Sequence, residues 1–160
     1  MRSSQKTKKT ARIRVRSARG TDLEALIDLE QRVFSTDRLS RESLRRLLAS
    51  KSAHVIVAES RSRLAGAAVV LFRKHAKVAR LYSIAVAPPM CGKGVAVALL
   101  TAAERAARRR TCRCMRLEVH QSNKVAIARY RKSGYQQFGR HRRYYEDGGD
   151  ALRFEKLLMR

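Results

Sequence analysis

Apolar positions along this chain switch between a period of two and a period near 3.6, and the switches divide it into strands and helices. Polar and apolar residues alternate in Arg12-Ile13-Arg14-Val15-Arg16, which predicts a strand. Thr21-Asp22 opens a helix striped by Leu23, Leu26, Ile27, Leu29 and Val33, with the Asp22 carboxylate expected to accept from its first amides. Ser40 opens a second helix, with Leu44, Leu47 and Leu48 on one side. Ala53 to Glu59 is a β-branched run, and Arg63 to Phe72 follows a short polar turn, as in an antiparallel hairpin. Lys77 to Ala87 is a third run, ended by Pro88-Pro89, which cannot continue a ladder.

After Gly92-Lys93-Gly94 the helical period returns from Val95 to Arg109, with Val95, Leu99, Leu100, Ala103 and Ala107 among its apolar positions. Cys112 to His120 alternates again, placing Met115, Leu117 and Val119 on one face. Ser122 or Asn123 caps another helix, closed at Gly134, and Tyr135–Tyr145 and Ala151–Leu158 predict two final strands. The order β-α-α-β-β-β-α-β-α-β-β predicts one mixed α/β sheet with an antiparallel first half, not a doubly wound fold. No internal repeat or Pro/Gly/Ser linker interrupts it, which fits a single domain.

Charge alters this picture more than composition does. The 160 residues hold 37 Lys+Arg against 13 Asp+Glu, a formal net charge of +24. The first twenty residues carry eight basic side chains and no acid, and Met1–Thr10 has no periodicity. That stretch reads as a basic disordered arm, leaving 11–160 as the folded domain. Such a field attracts polyanions such as RNA, DNA, phosphorylated cofactors or acidic peptides, and repels cationic small molecules. No zinc-finger spacing or RNP-like aromatic cluster accompanies it. Hydrophobic residues make up 44%, enough for a globular core. No apolar run approaches the roughly 18–20 residues that cross a bilayer, so no membrane partner is expected. The three cysteines are odd in number, and Cys112 and Cys114 are too close for an ordinary bridge, so free thiols in a reducing cytoplasm are expected. No second Cys pair or His cluster completes four ligands beside them, so no metal is expected either.

Two segments carry candidate chemistry. In the first, Tyr82 to Ala96, a strand enters a tight glycine turn and leaves as a helix. Bare amides at a helix N-terminus, with Lys93 beside them, suit an anion such as a pyrophosphate. The sequence departs from a P-loop, because Gly94 follows Lys93, and from a dinucleotide fingerprint, because Val97 and Cys114 stand where a small residue and an acid belong. A plain glycine turn opening a core helix has the same pattern. In the second segment, Leu117 to Tyr135, Glu118 lies on the strand face opposite Met115, Leu117 and Val119. It is a candidate general base or a surface carboxylate paired with one of many arginines. Tyr130 follows Asn123 by seven residues, two turns along one helical face, as a proton donor or a packed core tyrosine.

Together these segments resemble the GNAT superfamily of acetyl-CoA-dependent N-acyltransferases, over roughly Ile13 to Leu158. The superfamily's motif [QR]-x-x-G-x-[GA] aligns with Cys91-Gly92-Lys93-Gly94-Val95-Ala96, with Cys91 in place of Gln or Arg. Within the superfamily the chain is most similar to ribosomal-protein alanine N-acetyltransferases. That likeness rests on Leu117-Glu118-Val119, Ser122-Asn123, Ala126-Ile127-Ala128, Tyr130, Ser133-Gly134-Tyr135, Tyr144-Tyr145-Glu146-Asp147 and Asp150-Ala151. Phe34 to Leu39 does not show the family's substrate-loop pattern clearly.

The resemblance implies a mostly antiparallel sheet of about seven strands, splayed at its centre and flanked by about four helices. It implies acetyl-CoA as cosubstrate and no metal. Cys91, Gly92, Lys93, Gly94, Val95 and Ala96 would hold the pyrophosphate, Ile84, Ala85 and Val86 would pair with the pantetheine arm, and Asn123 would make a further contact. Glu118 takes the base position, Tyr130 the general acid, and the Val86 amide steadies the oxyanion. The expected acceptor is a primary amine at a protein or peptide N-terminus, with a polyanion or RNA contact through the basic arm and a monomer or homodimer as the assembly. A non-catalytic acyl-CoA-sensing or nucleic-acid-binding module on the same fold is the alternative.

Overall fold

The computed structural model describes residues 12–158; the basic arm expected over Met1–Thr10 lies outside them. The elements are β1 (Ile13–Ser17), α1 (Leu23–Val33), α2 (Arg41–Ala49), β2 (Ala53–Ser60), β3 (Arg63–Phe72), β4 (Val78–Val86), α3 (Val95–Arg109), β5 (Cys114–His120), α4 (Lys124–Lys132), β6 (Gln136–His141) and β7 (Ala151–Leu157). The strands form one sheet in the order β1-β2-β3-β4-β5-β7-β6. Every neighbouring pair is antiparallel except β4 and β5. The mixed, mostly antiparallel seven-stranded sheet with four helices is therefore as expected. Among the described residues no helix is long and apolar enough to cross a membrane.

Both faces of the sheet are covered, which explains the nearly unbroken apolar runs of the central strands. Val55 and Val57 of β2 pack toward α1 and α2 with Leu26, Leu29 and Leu44. Ile56 and Ala58 pack on the other face, beneath Val95, Leu99 and Ala103 of α3. Gly66 of β3 lets α3 come this close. A Cβ there would lie 2.6 Å from the Ala85 carbonyl oxygen and 2.9 Å from Val95 Cγ1.

The central feature follows from the one parallel pairing among the described residues. β4 and β5 are joined only from Val78↔Cys114 to Leu81↔Leu117. Beyond that, β4 continues on β3 as far as Val86, and β5 continues on β7 as far as His120. The register of β3 and β4 shifts between Val69↔Ser83 and Val70↔Leu81, leaving Tyr82 as an extra residue at the point of parting. The sheet opens there into a cleft.

Two local expectations are corrected. Asp22 does not cap α1 with its side chain. Its Oδ2 instead accepts from the Arg19 amide at 2.7 Å and from the Arg16 guanidinium on β1 at 2.8 Å, a charge-assisted pair that turns the carboxylate back from the first amides of α1. The run Tyr135–Tyr145 is not one strand. β6 ends at His141, and Arg143 turns at φ 50°, so Tyr144 and Tyr145 belong to the β6–β7 connection. Their aromatic character is spent on walling the cleft rather than on a ladder.

Candidate active site

A cavity of about 1010 Å³ occupies the cleft. β4 supplies one wall. Ala87 N donates to Ala65 O on β3 at 2.8 Å, so by the alternation of a strand Ile84 and Val86 turn their backbone groups away from β3, toward the open side. With β5 parted from them, these groups have no sheet partner there. Ile84 and Val86 line the cavity, whereas Ala85 is buried on the α1 and α2 side and does not.

The floor is the start of α3. Gly92 and Gly94 take φ 77° and 81°, a region that side chains with a Cβ rarely enter, and each has open space around it. Gly94 caps α3 and no side chain accepts from the helix's first amides. The first intrahelical bond runs from Ala98 N to Gly94 O, so the amides of Val95, Ala96 and Val97 have no helical partner. Cys91, Gly92, Gly94, Val95 and Ala96 all line the cavity. Lys93 does not.

The far wall holds the titratable groups. Glu118 lies on β5 one residue past its last pairing with β4, with its side chain 11% exposed. Its Oε2 accepts from Arg80 Nε at 3.1 Å, and its Oε1 is 4.0 Å from Arg153 Nε. Arg80 also donates to the Tyr144 hydroxyl at 2.7 Å. Burial works against the Arg80 charge, but Glu118 and Tyr144 outweigh it and raise the guanidinium's hold on its proton.

Tyr130 on α4 is 5% exposed, with its ring against Tyr135 at 5.8 Å between centroids. Tyr130 lines the cavity, and its hydroxyl has no hydrogen-bond partner among the described residues. Burial pushes its pKa up to about 12, so the phenol keeps its proton near neutral pH. Asn123 also lines the cavity, but its Oδ1 caps α4 by accepting from Ala126 N at 3.2 Å, leaving only its amide donors free for a ligand.

Sequence reasoning passed over several residues of this wall. Arg80 and Arg153 cannot be singled out among so many arginines, because their role comes from the register of β4, β5 and β7. His120 sits on β5 two residues from Glu118, on the same face. Its Nδ1 accepts the Ser122 amide at 3.1 Å and its Nε2 faces Asp147 Oδ2 at 2.8 Å, an arrangement that fits the Nε2–H tautomer. The ring stacks on Tyr145 with centroids 4.9 Å apart, which fastens the β6–β7 connection over the cavity. The alternation Glu118-Val119-His120 was the available signal for that placement.

A carrier with a diphosphate and an extended thioester arm fits this geometry: open amides for the phosphates, an unpaired strand edge for the arm, and the side chains of Glu118 and Tyr130 lining the same cavity. The chain belongs to the acetyltransferase (GNAT) family, whose model matches residues 23–135. It is 30% identical over 139 residues to a candidate ribosomal protein bS18-alanine N-acetyltransferase of Bacillus subtilis (strain 168), covering 86% of this chain and 91% of that one. The ribosomal-protein-S18-alanine N-acetyltransferase structure from Escherichia coli superposes with a TM-score of 0.84 at 26% identity, over 93% of this chain and 96% of that one. A nourseothricin acetyltransferase structure superposes with a TM-score of 0.76, also at 26% identity, over 92% of this chain and 99% of that one. The chain is thus an acetyl-CoA-dependent N-acetyltransferase.

Proposed function

We propose that this enzyme acetylates the α-amino group of a protein or peptide N-terminus. The observation that carries this reading is the parted edge of β4, with Glu118 and Tyr130 lining the same cavity as the uncapped start of α3. The curated relative and one solved neighbour act on ribosomal-protein alanine, as their names state; the nourseothricin enzyme shows that similar identity accompanies another acceptor. Charge supports the protein acceptor. A formal net charge of +24 disfavours polyamines and cationic antibiotics and suits a neutral or acidic peptide, or a protein embedded in RNA.

Acetyl-CoA supplies the activated acetyl group. The amides of Val95, Ala96 and Val97, with Gly92 and Gly94 shaping the turn, would hold its phosphates. The Val86 amide faces the place where carbonyl charge develops, and donates to it. Glu118 accepts the proton that the attacking amine gives up. Tyr130 donates its hydroxyl proton toward the departing sulfur. A polyanion contact through Met1–Thr10 is a separate part of the reading, testable as salt-sensitive RNA binding that is lost when the arm is removed.

A peptide array assayed by release of the CoA thiol tests the acceptor. The expected result is acetylation of free N-termini, strongest on neutral and acidic peptides. Faster turnover of spermidine than of any peptide overturns the reading.

A further inference from the structure

The carboxylate that should receive the acceptor's proton is already occupied. Arg80 Nε sits 3.1 Å from Glu118 Oε2, and Arg153 Nε sits 4.0 Å from Oε1. That Arg153 nitrogen is buried and has no hydrogen-bond partner among the described residues, so a second guanidinium stands beside the same carboxylate from the neighbouring strand. Arg80 is held from its other end by the Tyr144 hydroxyl at 2.7 Å. The charged and titratable groups that share this cavity or pair with Glu118 are Arg80 and Tyr82 on β4, His120 on β5, Arg129 and Tyr130 on α4, Arg153 on β7, Tyr144 and Tyr145 on the β6–β7 connection, and Asp37 and Arg38 between α1 and α2. Among the described residues, Asp37 is the only other acid lining the cavity, against the cations Arg38, Arg80 and Arg129.

An amine entering this wall as an ammonium ion would have to displace a guanidinium from its carboxylate while lying beside a second one. A neutral amine meets no such repulsion and needs only to give up a proton after it attacks. The two forms are unequally available. At neutral pH an α-amine of ordinary pKa is unprotonated in roughly one molecule in ten, and a lysine ε-amine in fewer than about one in a thousand.

We propose that Arg80 is a specificity-determining residue: by filling the ammonium-binding place beside Glu118, it restricts the acceptor to amines that arrive neutral, and so selects α-amines over lysine side chains. This rests on the α-amine reading above and adds the residue that enforces it. Arg80 acts by charge and position and transfers no proton. The selection is asymmetric: removing the guanidinium should help the ε-amine far more than the α-amine.

The test uses two peptides, one with a free N-terminus and no lysine, the other with a blocked N-terminus and a single internal lysine. The kcat/KM of each is measured with the intact enzyme, Arg80→Met and Arg80→Lys. The wild-type preference for the α-amine is expected to be about 100-fold or more. Arg80→Met should shrink that ratio about tenfold or more, mainly by lowering KM for the lysine peptide, and Arg80→Lys should keep most of it. An equal loss on both peptides in Arg80→Met, or an unchanged ratio, overturns the proposal for Arg80 while leaving the α-amine reading intact. A wild-type enzyme that prefers the lysine peptide overturns the α-amine reading itself.

A second measurement needs no variant. The wild-type kcat/KM on the α-amine peptide should rise about tenfold per pH unit between about pH 6 and 7, following the neutral amine. A flat profile there means that the ammonium form binds, and contradicts the role given to Arg80.

Discussion

Tyr130 and Tyr135 are neighbours in space with opposite duties, and the difference lies in what each hydroxyl touches. The Tyr135 hydroxyl donates to Glu104 at 3.1 Å in the core, where Lys156 also reaches Glu104 at 2.9 Å. The Tyr130 hydroxyl has no partner among the described residues, and Tyr130 lines the cavity. Tyr135→Phe should therefore cost stability, about 1–3 kcal/mol, because it strips a donor from a buried carboxylate. Tyr130→Phe should leave the thermal midpoint nearly unchanged but lower kcat by about 10²–10⁴-fold, as loss of a positioned proton donor does. Steady-state assays beside thermal melts separate the two; a kcat loss under about threefold for Tyr130→Phe removes it from the mechanism. With its pKa near 12, the phenol should also impose no loss of rate as pH rises through the neutral range.

Elements put these residues in place, and their contribution was only partly legible in the sequence. The bounds of β3 and α3 follow directly from hydrophobic period and from the glycine and proline punctuation around them. So does the open turn before α3, because Gly92 and Gly94 are the residues that enter φ near 80° without strain. The role of Gly66 was not legible, since it depends on a strand and a helix distant in sequence, and that of Asp22 was misread because its cap signal is shared with the nearby Arg16 and Arg19. In Ala65-Gly66-Ala67-Ala68 the glycine looks like one more small strand residue. Gly66→Ala should push the start of α3 off the sheet, lower stability by about 1–3 kcal/mol and weaken acetyl-CoA binding. An unchanged melt and an unchanged affinity would show that α3 is not seated against Gly66. At the β1 end, the Arg16 guanidinium and the Arg19 amide hold the Asp22 carboxyl below its ordinary value of 3.8. A depressed carboxyl stabilises the fold fully above that ordinary value, and its contribution is lost as pH falls through the lowered one. Chemical denaturation between about pH 5 and 3 should therefore show a fall in stability that is shallower in Asp22→Asn than in the wild type.

The whole molecule adds a field that no single residue explains. Charge was the plainest property of the sequence, yet its consequence at the site was hidden. Arg80 and Arg153 count no more than any other arginine until β4, β5 and β7 bring them to Glu118. The field itself should appear in the salt dependence of turnover. For an acidic peptide, kcat/KM should fall as salt rises from low to physiological strength, while a neutral peptide of the same length changes little. Equal responses would mean that the net charge of +24 does not steer the acceptor.

The same field raises the sharpest question about the cosubstrate, because acetyl-CoA is itself an anion and could be drawn to basic surface anywhere on the molecule. Amide NMR shifts recorded during titration with acetyl-CoA decide it directly. The largest changes are expected at Gly92, Gly94, Val95 and Ala96, with Ile84 and Val86 following along the parted strand. Changes confined to the arginines at the far end of α3, Arg105 to Arg110, with the start of the helix silent, would contradict it.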